Sequence, residues 1–286
     1  MIFSGKTGWI LRRPGSTRIR TALVFIGTLG LSCQLACHRS RVLVDSSRDG
    51  GVWWFPQGTG FDFNAPHQGK ALADYLRGLG MQVTELPRPF IISSSLLASF
   101  RLVIRAGQFG AYSPSELAAY RKYVSRGGRL ILLSDFHRPG EIDVLAQTFG
   151  LNFRGVSTGE NIINRFTAHP ITTGLCQVPY MVGSGLFEAP PTATILGYLS
   201  ESTFIDLNEN GVQDPGEPSG APVMGVMRFG KGQIFFIGDT NGIEGVPQPL
   251  VDNLLRFVRL PTSAGRPSTA IPTKDGCPTV PEAERR

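Results

Sequence analysis

The first half of the sequence alternates apolar, β-branched runs with amphipathic segments of helical period, and this alternation constrains the fold more than any other feature. The apolar runs are RVLVD, MQVTEL, RLVIRAG and RLILLSD, at residues 41–45, 81–86, 101–107 and 129–135. Each run has the length of a strand and is mostly apolar, as is typical of a strand covered on both sides. Because strands separated by helices run parallel, we predict an α/β domain with a parallel sheet, three layers and ligands at the carboxyl ends of the strands.

Boundary signals mark the helices between these runs. Residues 67–80 carry apolar side chains on one helical face and end in glycine. A second helix begins with Ser113 as N-cap, Pro114 in the first position and Glu116 closing a capping box. A third, short helix is predicted over 141–150.

The second half of the sequence is richer in turns. Strands are predicted at 193–202, 221–230 and 232–239, followed by a closing amphipathic helix at 249–260. Residues 261–286 are rich in proline, serine, threonine and charge, and offer little apolar surface to bury. We therefore expect this tail to be disordered.

The stretch DLNENGVQDPGE, residues 206–217, carries oxygen-bearing side chains at the spacing of a calcium-binding loop. It matches the pattern D-x-[DN]-x-[DN]-G-x5-E at every fixed position. The predicted Ca²⁺ ligands are Asp206, Asn208, Asn210, Val212 through its carbonyl, Asp214 and Glu217. Prolines rather than a helix follow the loop, so we expect it in a β-hairpin over 193–230, inserted in the domain. The alternative is a polar Asn-Gly turn that binds no metal.

The first 37 residues carry the signals of protein export. Basic residues precede an apolar run of twelve, TALVFIGTLGLS, which small residues follow. This order is typical of a signal peptide, and the run is too short to span about 30 Å of hydrocarbon. We expect a protein of the periplasm, the outer surface or the medium; the alternatives are a short anchor or a cytosolic N-terminus. Without the five leader cations, 23 basic residues accompany 22 acidic ones, which argues against a nucleic-acid partner.

The four cysteines leave two alternatives open. Cys33 or Cys37 is lipidated if the chain is a lipoprotein, although neither has the expected leucine three positions before it. Apart from the short anchor, such a lipid is the one attachment to a membrane that we expect. Cys176 and Cys277 then remain in the mature chain, where a disulfide between them is allowed outside the cytoplasm. No CxxC spacing indicates zinc.

Polar and aromatic residues follow the predicted strands at the edge where ligands bind. They are Asp45, Asp49, Trp53, Trp54, Asp135, Asp239 and Asn241. We expect a carbohydrate or peptide ligand to stack on Trp53 and Trp54; the alternative is that both rings cover the sheet as core. Ser134, Asp135 and His137 form a hydrolytic site if their geometry aligns; the alternative is that Ser134 and Asp135 cap the next turn.

Five segments together resemble a branch of the class I glutamine amidotransferase-like superfamily. They are VLVD, GKALADYLRGLGMQVTEL, LAAYRKYVSRGGRLILLSD, HPITTGL, and RFGKGQIFFIGDTNG with the later DNLLRFV. The similar members are exported bacterial domains of unassigned role and related domains of gliding and ciliary transport proteins. The resemblance covers roughly residues 41–260 and implies a flavodoxin-like, amidotransferase-like domain over 38–260.

Enzymes of this superfamily carry a nucleophilic cysteine in a G-x-C-x-G turn and a later His-Glu pair. The matching turn here reads LLSDFHRPG, with neither cysteine nor framing glycines, and GDTNGIEG contains no His-x-Glu. The resemblance therefore implies that the thiol mechanism is lost. We expect a non-catalytic binding or scaffolding module at the cell envelope; the alternative is a hydrolase of glycan or amide bonds that uses Asp135 and His137.

Overall fold

A computed structural model describes residues 40–54, 66–107 and 109–258 of the chain. The expected leader, the expected disordered tail and every cysteine except Cys176 lie outside these ranges. Within them, no helix is both long enough and apolar enough to cross a membrane.

The described chain contains thirteen strands and six helices. The strands are β1 (Arg41–Asp45), β2 (Gln82–Leu86), β3 (Leu102–Ala106), β4 (Arg129–Leu133), β5 (Asn152–Arg154), β6 (Val156–Thr158), β7 (Ile162–Phe166), β8 (Val178–Pro179), β9 (Gly185–Glu188), β10 (Ala193–Leu199), β11 (Phe204–Asp206), β12 (Pro222–Phe229) and β13 (Gly232–Ile237). The helices are α1 (Lys70–Gly78), α2 (Ser94–Ala98), α3 (Pro114–Ser125), α4 (Val144–Thr148), α5 (Asn241–Glu244) and α6 (Leu250–Phe257).

Nine strands form one central sheet, in the order β2-β1-β3-β4-β13-β12-β10-β7-β8. The first five run parallel, which confirms the predicted α/β class. The last four pair antiparallel. The strands β10 and β12, which we expected to form an inserted hairpin, pair antiparallel as neighbours within this sheet. They extend it because their apolar side chains continue its core.

Helices cover both faces of the sheet, as the prediction of three layers requires. One core cluster joins the sheet to α1, α5 and α6, and the other joins its opposite face to α2, α3 and α4. Successive residues of β1 alternate between them: Val42 and Val44 pack in the first cluster, and Leu43 packs in the second. Burial on both faces explains why the predicted strands are apolar throughout.

Hydrogen bonds at its first turn start α3 where the sequence places it. Ser113 Oγ accepts a hydrogen bond from the Glu116 N–H at 3.3 Å, and the Glu116 carboxylate accepts one from the Ser113 N–H at 2.8 Å. The predicted capping box is therefore confirmed. Helix α1 begins at Lys70 rather than at residue 67, and α2 is not predicted, because a single turn carries no periodicity.

Asp45 was expected at a ligand site, but its side chain is fully buried and holds the fold together. One carboxylate oxygen accepts hydrogen bonds from the hydroxyls of Tyr112 at 2.8 Å and Tyr120 at 2.5 Å. The other accepts from the N–H and the hydroxyl of Ser47, at 3.0 and 2.5 Å. Burial, together with the charge of Asp45, raises the pKa of both tyrosines well above its usual value, so both remain donors. The carboxylate thus connects β1 with α3 and with the loop before it.

Trp53 and Trp54 do not form the expected aromatic platform, because 0% and 5% of their surfaces are exposed. Trp53 Nε1 donates to Glu85 at 3.0 Å. The Trp53 ring also packs so closely on Gly69 that a Cβ there would lie 2.1 Å from the ring. Both rings therefore cover the sheet beside α1 as core, and neither is available to a stacked ligand.

We expect Asp45→Asn to lower the free energy of unfolding by about 3 kcal/mol, because the buried hydroxyl donors lose a charged acceptor. Urea denaturation of residues 38–286 measures the change. Asp74→Asn is the control: it removes exposed ion pairs with Lys70 and Arg77 and should cost less than about 1 kcal/mol. Equal losses in the two variants would contradict the anchoring role of Asp45.

Candidate functional site

A cavity of about 1030 Å³ opens at the carboxyl ends of the parallel strands. It lies beyond β1, β3, β4 and β13, where the topology of such a sheet predicts a ligand site. Its apolar wall includes Val52, Phe109, Phe136, Met181 and Val182. Among the predicted ligand residues, Asp135 and Asn241 line it. The other polar residues of the lining are Gln68, Arg138, Glu141 and Glu244, of which Glu244 belongs to α5.

Asp135 and Glu244 bring two buried carboxyl groups to this cavity. Asp135 Oδ2 and Glu244 Oε1 have no hydrogen-bond partner among the described residues. Burial raises the pKa of Asp135 to about 8, and the neighbouring Asp239 contributes to the rise. Burial likewise raises the pKa of Glu244 to about 9. Both groups are therefore mainly protonated near neutral pH, and each can then donate a hydrogen bond.

Asp239 lies directly behind the cavity wall, at the end of β13. Its carboxylate accepts hydrogen bonds from the N–H groups of Met181 at 2.7 Å and Asn241 at 3.0 Å. Burial raises the pKa of Asp239 to about 6, although these bonds oppose the rise. Gly183 lets this contact form: a Cβ at residue 183 would lie 2.6 Å from the Asp239 Cβ. Asp239 thus positions the backbone that carries Met181, instead of facing a ligand.

Asp49 shapes the opposite wall of the cavity. Its carboxylate accepts from the N–H groups of Gly51 at 3.1 Å and Trp54 at 3.0 Å, and it pairs with Arg88 at 3.1 Å. Burial raises the pKa of Asp49, with these partners opposing. The turn that Asp49 closes presents its backbone at Gly50 and Gly51 to the cavity. The backbone of this turn, rather than the predicted Asp49 side chain, therefore lines the cavity. The Asp49 side chain holds the turn in place.

Ser134 and His137 meet, but away from the cavity. Ser134 Oγ lies 3.0 Å from His137 Nε2 and 3.0 Å from Asp143 Oδ2. Asp143 in turn forms a buried ion pair with Arg105. All four side chains are buried, and none of them lines the cavity. Asp135, the third member of the predicted set, does not join this cluster.

The hydrogen-bond donors in this cluster determine the tautomer of His137. Ser134 has one hydroxyl hydrogen, and the ion-paired Asp143 can only accept it. His137 Nε2 must therefore carry a hydrogen and donate it to Ser134 Oγ. Burial lowers the pKa of His137, which keeps the ring neutral. In this state Nε2 has no lone pair to receive the serine proton, so the pair is not arranged as nucleophile and base.

The predicted calcium loop connects β11 to β12 and folds on its own carboxylates. Asp206 Oδ2 accepts from the Gly211 N–H at 2.7 Å, and Glu217 accepts from Leu207 N–H at 2.7 Å and Asp214 N–H at 2.9 Å. Asp206 and Glu217 are 3% and 8% exposed. In the described ranges, no group of three His, Cys, Asp or Glu side chains is close enough together to hold a metal. The side-chain oxygens of this loop are of the kind that binds Ca²⁺, and several of them accept hydrogen bonds from backbone N–H groups here.

Sequence reasoning missed Glu244, Phe109, Met181 and Val182. Glu244 has a usable signal, since it is an acid in the first turn after the last buried strand. Met181 and Val182 have none, because a contact distant in sequence places them: the Met181 N–H binds Asp239 of β13. Phe109 has a signal in its position, because it follows β3 at the edge of the sheet where ligands are predicted to bind. The residue before it, Gln108, lies outside the described residues.

The protonated carboxyls predict a pH dependence of stability. Between the unfolded pKa values, near 4, and the folded ones of about 8 and 9, the native protein holds protons that the unfolded chain has released. The free energy of unfolding should therefore fall as pH rises through this window. Asp135→Asn with Glu244→Gln should flatten the fall, as measured by melting temperature from pH 4 to pH 9. Glu141→Gln, an exposed acid at the same cavity, should retain the wild-type slope; equal slopes in all proteins would contradict the assignment.

Neither the known protein-family models nor the curated protein sequences match this chain. Among solved structures, the mmIFT52 N-terminal domain is similar, with a TM-score of 0.52 at 15% identity over 77% of this chain and 96% of that one. ThuA-like proteins from Bacteroides uniformis and Parabacteroides merdae each give a TM-score of 0.47, at 14% and 15% identity. They cover 77% and 82% of this chain and 91% and 94% of their own. The similarity to the mmIFT52 N-terminal domain shows the α/β fold alone.

Proposed function

We propose that this protein is a non-catalytic binding module of the cell envelope that holds a peptide segment in the cavity at the carboxyl edge of its sheet. The proposal rests on one observation: a largely apolar wall, which also includes Arg138 and Glu141, contains two buried carboxyl oxygens, Asp135 Oδ2 and Glu244 Oε1, that lack partners among the described residues. Protonated carboxyl groups both donate and accept hydrogen bonds. A peptide backbone offers carbonyl and N–H groups in alternation, and these match both capacities.

Exposed apolar side chains at the cavity favour a peptide over a carbohydrate. Phe109, Met181 and Val182 are 39%, 60% and 43% exposed, and all three line the cavity. Apolar side chains that gather on a surface mark a binding site for another apolar surface, and methionine adapts its shape to the partner. The two aromatic rings of the described lining, Phe109 and Phe136, pack on each other with centroids 5.2 Å apart. This arrangement leaves less ring surface to stack on a sugar.

A binding role also agrees with the positions of the polar residues. The hydrolase alternative needs Asp135 and His137 together, whereas His137 bonds to Ser134 behind the wall and Asp135 lines the cavity. We further infer that the chain is a degenerate amidotransferase-like domain, since the expected nucleophilic cysteine is absent from the turn after β4. The shared fold supports this inference at the level of architecture.

Export is the second part of the proposal. Residues 1–37 read as a signal peptide, with lipidation at Cys33 or Cys37 as the proposed attachment to a membrane. Cys176 is disulfide-bonded. Disulfides persist in oxidising compartments such as the periplasm and the medium, so this bond supports export.

Calcium binding by residues 206–217 is the third part of the proposal. Asp206 ends β11 and Glu217 precedes β12, so a cation held by both would close the connection between two strands. Asp206, Asp214 and Glu217 supply the formal negative charges, with side-chain oxygens of Asn208 and Asn210 beside them. Three charges suit the modest affinity of extracellular calcium modules, about 10⁻⁴–10⁻³ M. The ion would stabilise the loop and take no part in chemistry.

Selection of peptides tests the cavity. Residues 38–286 are immobilised and exposed to a library of short random peptides, and calorimetry measures the affinity of those retained. We expect uncharged, apolar peptides whose affinity falls as pH rises through about 8 to 9, because ionised carboxylates no longer donate. Met181→Ser should weaken binding about tenfold.

Ile91→Ser is the matched control, since Ile91 is also exposed but does not line the cavity, and should bind as wild type does. Retention of glycans alone in a parallel array, or affinity that rises with pH, would contradict the peptide proposal. Cleavage of a retained peptide that disappears in Asp135→Asn would establish the hydrolase alternative.

Melting temperature tests the calcium proposal. At about 10 mM Ca²⁺ we expect a stabilisation of about 1.4–2.7 kcal/mol over the chelated protein. Asp206→Ala should abolish this difference, and Glu201→Gln, which removes an exposed acid paired with Arg165, should keep it. A melting temperature of the wild type that does not respond to chelator would remove the calcium claim.

A further inference from the structure

A second cavity, of about 720 Å³, lies at the opposite edge of the sheet, where the parallel strands begin. It opens between α2 and α3, and the polar and charged residues that line it are Ser94, Ser95, Arg101, Lys122, Tyr123, Arg126 and Arg129. No acidic residue is among the described residues that line it. Beside these cations lie the rings of Phe100 and Tyr123.

Three of the cations nearby form a row across neighbouring strands. Arg41 begins β1, Arg101 immediately precedes β3, and Arg129 begins β4. The pairing Val42↔Leu102 places Arg41 opposite Arg101, and the Arg101 N–H donates to the Arg41 carbonyl at 3.0 Å. Arg129 pairs with Leu102, so it begins the next strand but lies on the face of the sheet opposite that of Arg101. Adjacent strands lie about 4.8 Å apart, and like charges directly opposite one another are destabilising. Arg41 and Arg101 therefore place two exposed positive charges on the same face at the start of neighbouring strands, where an anion could pair with both.

The dipole of α3 accounts for only part of this positive charge. Lys122 and Arg126 lie at the C-terminal end of α3, where the helix dipole favours cations. The dipole does not reach Arg41, Arg101 or Arg129, which belong to the sheet edge. Nor does the general charge of the protein explain the cluster, because acids and bases nearly balance after residue 37. Arg101, Lys122 and Arg126 form no ion pair with any residue in the described ranges.

We propose that this basic cavity binds phosphate groups, carried either by a soluble phosphorylated compound or by a phospholipid headgroup. Arginine presents several N–H donors in a plane that matches the oxygens of a phosphate, and lysine adds a point charge. The hydroxyls of Ser94 and Ser95 provide uncharged donors on the α2 side. The Arg41 guanidinium lies over the ring of Phe100, which lines the cavity, with its carbon 4.6 Å from the centroid. This site is separate from the cavity proposed to hold a peptide, and neither proposal depends on the other.

Calorimetry of residues 38–286 with pyrophosphate, at an ionic strength of about 50 mM, tests the proposal in one arm. Co-sedimentation with phosphatidylglycerol vesicles, against phosphatidylcholine vesicles, tests it in the other. We expect Arg101→Ala with Arg126→Ala to weaken binding about tenfold or more, since two charge-assisted contacts are lost. The control is Arg154→Ala with Arg228→Ala, which removes the same charge from exposed positions outside the cavity.

The two arms identify the source of the phosphate. Binding of pyrophosphate that is lost in the Arg101/Arg126 variant and kept in the control supports a soluble ligand. The same pattern with anionic vesicles only supports a lipid headgroup. Circular dichroism verifies that each variant is folded, and Arg101→Gln with Arg126→Gln repeats the test while preserving side-chain bulk. Absence of binding in both arms, or equal losses in variant and control, would overturn the proposal.

Discussion

The removal of carboxyl groups from water at one edge of the sheet is the constraint on which the rest of this structure depends. A buried carboxylate is unfavourable unless hydrogen bonds, a cation or a proton compensates its charge. The chain uses all three means. Hydroxyl donors surround Asp45, Arg88 pairs with Asp49, and Asp135 retains its proton over most of the physiological range. Only the last solution leaves hydrogen-bonding capacity unused, and Asp135 retains it at the wall of the larger cavity.

The two edges of the same sheet differ in chemical character. The carboxyl edge combines apolar side chains with buried acids, whereas arginines begin or immediately precede three neighbouring strands at the amino edge. A parallel sheet makes such a division possible, since all its strands begin on one side and end on the other. When several neighbouring strands begin with the same type of residue, these residues therefore gather at one edge of the sheet. The fold can thus present two surfaces of different chemical character without a second domain.

The parallel half of the fold could be predicted from the sequence because its strands are short, apolar and separated by helices with clear start signals. In the antiparallel half, β10 and β12 were predicted, because they are long and apolar. The strands β7 and β8 were not predicted, since they hold few buried apolar residues and owe their positions to neighbours. The rule that ligands bind at the carboxyl ends of parallel strands placed Asp135 and Asn241 at the larger cavity, which they line. No local pattern shows that Asp45 meets hydroxyls 67 and 75 residues away. In the same way, burial of the Trp53 ring depends on Gly69, which no pattern around the tryptophan reveals.

Gly183 limits how this site can diverge. A side chain at residue 183 would collide with the backbone of Gly238 and with Asp239, so this position is restricted to glycine. Met181 and Val182 are exposed beside it and carry no such restriction. Related chains can therefore exchange these two side chains for others and alter what they select, while the segment keeps its path over the strand end.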